Sequence, residues 1–367
     1  MFKSKTHFWT VQILLVLLIV FVATKVSFLF EPIILFVSTL FFPVLIAGIL
    51  YFIFNPVVRL LEKKLPRTLS ILLIYLAFVA LIGFVLSSVG PVFTKQVTDL
   101  FNNIPDIVKQ IQNFIKHLSN TQWFTWMMNQ DFVSVSKIER SIGDFLTNLP
   151  ENITASLTSV FGVVTNIALI ALTVPFILFY MLKDGHRFPN LAVKILPDQY
   201  KNEGLKIFKD LYETLAAYIQ GQLIVCLFVG IGCYIGFLFA GVKYALILGV
   251  IMTVTNIIPY VGPFLGATPA VIIAFIDSPT KALIAVIVVV VVQQIDGNLV
   301  SPLIIGKRLN THPLTIILLL LGAGSFGGVL GMILAVPCYA LAKAFTLNIV
   351  RLVRLRQRSK KEMTTEA

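Results

Sequence analysis

The sequence predicts an all-α fold: a polytopic helical membrane protein with about eight hydrophobic segments, two of them broken or re-entrant, and an external amphipathic helical region. Three observations predict it. Of 367 residues, 57% are hydrophobic and only 13% are charged, where a soluble domain carries about 25% charge. The apolar residues gather in runs of about 20 or more, the length that crosses a hydrocarbon core of about 30 Å. The net charge of +12 is confined to a few segments between those runs, as expected of loops facing anionic lipid. This composition excludes a soluble enzyme, a disordered chain and a disulfide scaffold. It also argues for membrane lipid rather than nucleic acid as the partner of the basic surplus.

The elements follow in order. Residues 10–30 and 32–54 form a hairpin turning at Glu31-Pro32, since proline restrains the residue before it. The first run is too long for the h-region of a cleaved signal peptide, so it is expected to be an uncleaved span. Residues 69–93 form a third span. The short loop before it carries Arg59, Lys63, Lys64 and Arg67 and should be cytoplasmic. Residues 94–155 regain polarity with a slight acidic excess and belong outside. Val97, Leu100, Phe101, Ile104, Ile107, Val108, Ile111, Phe114, Ile115 and Leu118 recur at helical spacing. That stripe packs on the spans, on the outer leaflet or on another subunit. The Asn152 sequon is a chance match.

The fourth span covers 156–182, with a kink expected at Pro175. A basic loop follows, containing Lys183, Arg187, Lys194, Lys201, Lys206 and Lys209. Its stripe of Leu205, Phe208, Leu211, Tyr212 and Leu215 runs along the inner interface into the next span. Apolar segments then cover 217–240, 245–276, 282–295 and 314–347. The tail carries Arg351, Arg354, Arg356, Arg358, Lys360 and Lys361, which places both termini in the cytoplasm.

Segments 245–276 and 314–347 are too long for ordinary spans. The first is interrupted by Asn256, Pro259, Gly262 and Pro263, the second by the glycine-rich stretch Gly322 to Gly328. Each is either a long tilted span with an unwound middle or a hairpin that enters and leaves on one side. Lys307 and Arg308 lie inside in the hairpin arrangement, which tilts the balance slightly towards hairpins.

Polar side chains remain within the apolar mass at two places. Gln293, Gln294, Asp296 and Asn298 close one apolar run, ahead of Pro302, Gly306, His312 and Pro313. An Asp at the centre of a membrane helix costs about 2.5–3.5 kcal/mol to insert. Such a cluster either lines a cavity or serves as an interhelical hydrogen-bond set or interface cap. The second place is Asn256 with Pro259-Tyr-Val-Gly262-Pro263. Irregular backbone at membrane depth is tolerated where it is buried in protein or lines water, so it is either part of a solute pathway or a plain kink. Glycines four apart (Gly232/Gly236, Gly262/Gly266, Gly324/Gly328 and Gly327/Gly331) allow close helix approach.

Catalytic and metal motifs are absent from the sequence. Gly306-Lys307 lacks the remainder of a phosphate loop, so no ATP is implied. Ser325 resembles a nucleophile elbow, but no histidine follows it. Cys226, Cys233 and Cys338 sit in apolar stretches as small hydrophobes. No cofactor or metal is expected, and the chain is not expected to be an enzyme. His312 opens a helix, with a proton-linked role as the alternative.

Three stretches carry a resemblance. They are Pro175-Phe-Ile-Leu-Phe-Tyr-Met-Leu-Lys-Asp184-Gly185, Asn256-Ile-Ile-Pro259-Tyr-Val-Gly262-Pro263, and the run from Gln293 through Asp296, Asn298, Pro302 and Gly306 to His312-Pro313. Together they resemble the autoinducer-2 exporter family of bacterial membrane proteins over nearly the whole chain. The resemblance implies a secondary transporter of the bacterial inner membrane and a homo-oligomer. It would export a small polar solute such as an autoinducer-2-like signal, or exchange a monovalent cation such as sodium for protons. Asn256, Pro259, Gly262 and Pro263 are the expected unwound element, and Gln293, Gln294, Asp296 and Asn298 the expected polar pathway. Asp184, Pro302, Gly306, His312 and Pro313 are motif positions. The expected organisation is N-terminal membrane helices in 1–93, the external region in 94–155, a membrane transport core in 156–347 with a cytoplasmic loop at 183–212, and a basic cytoplasmic tail in 348–367. The alternative function is a non-transporting scaffold or regulator acting through the external helices and tail.

Overall fold

The computed structural model describes residues 5–25, 28, 31–119, 172–304 and 311–365, and every regular element among them is helical. That follows from the apolar runs. In hydrocarbon, unpaired backbone groups cost several kcal/mol each, and a helix pairs its own. Helix α1 is Lys5–Lys25, α2 Glu31–Leu61, α3 Arg67–Ser88 and α4 Gly90–Ser119. Then come α5 (172–184), α6 (Phe188–Val193), α7 (Lys201–Phe239), α8 (Ala245–Thr255), α9 (Val261–Asp277), α10 (Pro279–Ile295), α11 (Ser301–Ile304) and α12 (Pro313–Thr365). A π-helical turn, Asp296–Val300, joins α10 to α11.

Two packed bodies share the long helix α7. In the first, Ala47, Tyr51, Phe54 and Val58 of α2 meet Ile71 and Ile74 of α3 and Val174, Leu178 and Leu182 of α5. The Arg67 guanidinium donates to the Leu182 carbonyl at 2.8 Å and ties α3 to the end of α5. In the second, Val225, Val229, Cys233 and Phe237 of α7 pack against Leu248 and Met252 of α8, Ala270 and Ala274 of α9, and Ala285, Val289 and Val292 of α10. Asn55 Nδ2 donates to the Tyr212 hydroxyl at 2.6 Å, and Gln220 Nε2 to the Phe52 carbonyl at 2.6 Å; these bonds join α2 to α7.

Both overlong segments are hairpins. Helices α8 and α9, of 11 and 17 residues, are about 17 and 26 Å long. Their arms touch: a Cβ on Gly266 would meet Met252 and Thr255 at 2.6 Å. In α12 the chain reverses at Gly328 (φ 56, ψ −141). Leu320 packs with Ala335 and Val336, which would lie about 22 Å apart along a straight helix. By length alone Pro313–Arg351 reads as one membrane-crossing helix; the reversal makes it two arms. The tip of the first hairpin, at Ile258, seats against Leu320 and Val336 of the second.

The base of the first hairpin is closed by charge and by α4. Asp277 accepts from Lys243 at 2.6 Å and from Lys281 at 2.5 Å. Asn103 Nδ2 of α4 donates to the Tyr244 hydroxyl at 3.0 Å, and Leu100 packs against the second core. The amphipathic stripe therefore packs within the chain over this part of its length. Its continuation past residue 119, the Asn152 sequon and the first part of the fourth span (156–171) lie outside the described residues.

The hydrogen bond from Lys243, then that from Lys281, holds the Asp277 carboxyl below its ordinary value of 3.8. A depressed carboxylate contributes stability above its unfolded value, and that stability is lost as pH falls through the folded value. Melting of the detergent-solubilised protein is expected to drop as pH falls from 5 towards 3 (an approximate window, set by the carboxylate range). Asp277→Asn should melt lower at neutral pH and show a weaker acid dependence.

Candidate functional site

The second body and α12 border an open cavity of about 1160 Å³. Three structural features make it. The first is the unwound tip of the α8–α9 hairpin, the second the π-helical turn after α10, and the third the middle of α7. Asn256, Pro259, Pro263, Gln293, Gln294, Asp296, Pro302 and His312 all line it. Residues separated by more than fifty positions are thus brought to one cavity. The remaining lining is largely valine, with Tyr218, Gln222, Ser301 and Thr311 adding polar groups.

The tip follows from its sequence. Helix α8 ends at Thr255, and Pro259 supplies no N–H to continue it. The Val261 N–H donates to the Pro259 carbonyl at 2.7 Å across Tyr260, whose φ is 62° and ψ −47°. This is a γ-turn of the rare, strained, positive-φ kind. Gly262 and Pro263 are not unwound. They form the first turn of α9, where proline lacks no needed donor, and Gly262 N–H bonds the Ile258 carbonyl at 2.8 Å. Gly262 does not line the cavity. It lets the arms meet, since a Cβ there would stand 2.0 Å from the Thr255 carbonyl oxygen.

On the opposite wall, the Ser301 hydroxyl donates to Asp296 Oδ1 at 2.9 Å. Asn298 points elsewhere: its Nδ2 donates to the Gln294 carbonyl and to Gln294 Oε1, both at 2.9 Å. Gln293 Nε2 and Thr311 Oγ1 are buried with no hydrogen-bond partner among the described residues. Such groups are rare in finished interiors and call for an acceptor or donor from outside the described residues. Among the described lining residues there is no lysine or arginine, and Asp296 is the one carboxylate.

Other positions lie apart. Asp184 pairs with Arg187 at 3.4 Å on the elbow after α5, and Gly185 lies against the Tyr51 ring. Pro313 opens α12, beside His312, whose Nδ1 accepts from the Leu314 N–H at 3.3 Å. Gly306, with Lys307 and Arg308, lies outside the described residues.

Gln222 was not singled out from the sequence, yet it is buried in α7 and its Nε2 donates to the Asn256 carbonyl at 2.8 Å. An amide within an otherwise apolar run was the available signal. Of the small-residue pairs, Gly232 and Gly236 face Val292 and Val288 of α10, and Gly331 lies against the Ala323 backbone. They serve close packing.

Comparison with known proteins adds two kinds of finding. A family model described as "AI-2E family transporter" matches residues 12–351. The chain is 75% identical to "Putative transport protein YueF" of Bacillus subtilis, over 99% of this chain and 98% of that protein. It is 38% identical to "Putative transport protein YrrI" of the same organism, over 94% and 96%. It is 29% identical to "Putative permease PerM" of Escherichia coli K12, over 85% and 88%.

Proposed function

We take as premise that the chain belongs to the AI-2E transporter family, and propose that the cavity is the solute chamber of a secondary transporter. The observation that carries this reading is the joining of a strained hairpin tip, a π-helical turn and unpartnered polar groups around one 1160 Å³ space. Discontinuous helices and irregular backbone at membrane depth are how transporters face a solute.

The lining chemistry favours a small neutral solute rich in hydroxyls, of which an autoinducer-2-like signal is an instance. Gln293, Thr311, Asn256 and Tyr218 offer donors and acceptors on an otherwise largely apolar wall. A monovalent cation at Asp296, moved alone or exchanged for a proton, is the other solute the lining accepts. An anion is disfavoured, since no basic side chain among the described lining residues would meet it. The test is flux in proteoliposomes, native protein against Asp296→Asn and Gln293→Ala. Native-level flux in both variants would sink the reading.

The proposed setting is the inner membrane of a bacterium, as a homo-oligomer, with both termini in the cytoplasm and the basic segments against anionic lipid. The α8–α9 hairpin then enters from outside and the α12 hairpin from inside. Lys307→Cys should be labelled by an impermeant maleimide in inside-out vesicles and protected in intact cells. The reverse pattern would overturn this orientation.

A further inference from the structure

We infer that Gln222 is a positioning residue, the latch that holds the strained tip of the α8–α9 hairpin against α7 at the cavity wall. A helix end leaves its last carbonyls without intrahelical partners. Here Val254 accepts from Ile257, Thr255 from Ile258, Ile258 from Gly262 and Pro259 from Val261, all within the tip itself. The Asn256 carbonyl is instead taken by the Gln222 side chain of another helix, at 2.8 Å. Both residues are more than nine-tenths buried, so water is a poor substitute partner, and an unpaired carbonyl at this depth is costly.

The bond restrains something under strain. Four residues beyond Asn256, Tyr260 holds φ 62°, a conformation that persists only where surrounding contacts enforce it. Gln222, Asn256 and Tyr260 all face the cavity. The latch is therefore set where the tip meets the solute space, while the far end of the same hairpin is fixed by the Asp277 ion pairs. A tip held by a side chain and a base held by charge leave the tip as the part able to move.

Labelling at the tip tests this. The full chain carries Tyr260→Cys, with Cys338→Ser removing the exposed thiol; Cys226 and Cys233 are buried. It is reconstituted in liposomes and reacted with a small maleimide. Gln222→Leu should label about tenfold faster than its Gln222 parent, the worth of about one hydrogen bond. Gln222→Glu is the sharper variant. At pH 8 its carboxylate cannot donate to a carbonyl, and labelling should be fast. At low pH the protonated acid can donate, and the rate should return towards that of the parent at the same pH. Tyr218, Cys226, Asp296 and His312 are the titratable neighbours, and the parent carries them all, so the ratio cancels their effect.

If Gln222→Leu does not fold, the reversible Glu titration decides alone. Parent-like rates in Gln222→Glu at every pH would overturn the latch. The inference rests on reading the cavity as a solute chamber, but labelling needs no flux. A failed flux assay and a failed labelling assay are therefore distinguishable.

Discussion

Gly331→Ala and Gly262→Ala are expected to yield little folded protein, while Gly322→Ala is expected to fold normally. The added methyl of Gly331→Ala would stand 2.1 Å from the Ala323 carbonyl oxygen and 2.9 Å from its carbon. That of Gly262→Ala would stand 2.0 Å from the Thr255 carbonyl oxygen and 2.7 Å from the Asn256 Cα. In both cases the obstruction is backbone, which cannot rotate away as a side chain would. The arms must separate, and each methyl should cost at least the ~1–3 kcal/mol of an overpacked core. Separation would also carry Ile258 away from Leu320 and Val336, so damage to one hairpin reaches the other. At Gly322 nothing lies within 4 Å of the added atom, which makes it the control for helix propensity alone. Detergent extraction followed by size-exclusion and thermal melting reads the difference. Normal melting of Gly331→Ala would mean that the arms of α12 do not meet.

These glycines also mark where sequence reasoning reached its limit. The apolar runs were legible because lipid admits helices and little else, so hydropathy located most of the described helices, although α7 begins at Lys201 rather than 217 and α12 runs on to Thr365. The interruptions at Asn256–Pro263 and Gly322–Gly328 were legible as interruptions. Their outcome was not, because a tilted span and a hairpin bury the same residues in lipid, and only Lys307 and Arg308 separated the two by charge. What settles it is contact between positions eight or more apart, such as Ala323 with Gly331, and spacing along the chain does not reveal that. Gln293, Asp296 and Asn256 were visible as polar groups in apolar runs; that they face one cavity came only from the packing of α7, α9 and α10. Gln222 carried the same polar signal, with Gln220 two residues before it, but had no break beside it.

Asp296→Asn is expected to leave expression and melting close to native and to lower flux about ten- to hundredfold. The structural side is mild. The Ser301 hydroxyl that donates to Asp296 Oδ1 can donate equally to the amide oxygen, and the volume hardly changes. The functional side is large, because the change removes the one carboxylate among the described lining residues. A charge-assisted contact to solute is worth about 1.5–3 kcal/mol, and each ~1.4 kcal/mol is a factor of ten in affinity. The loss also separates the two solute classes. If the transported species is a cation held by Asp296, the variant should lose ion dependence and flux together, and Gln293→Ala should do little. If it is a neutral polyol, Gln293→Ala should lower flux as well, because the Gln293 amide that has no partner among the described residues would be donating to solute hydroxyls. Equal flux in native protein and both variants would place the pathway elsewhere in the molecule.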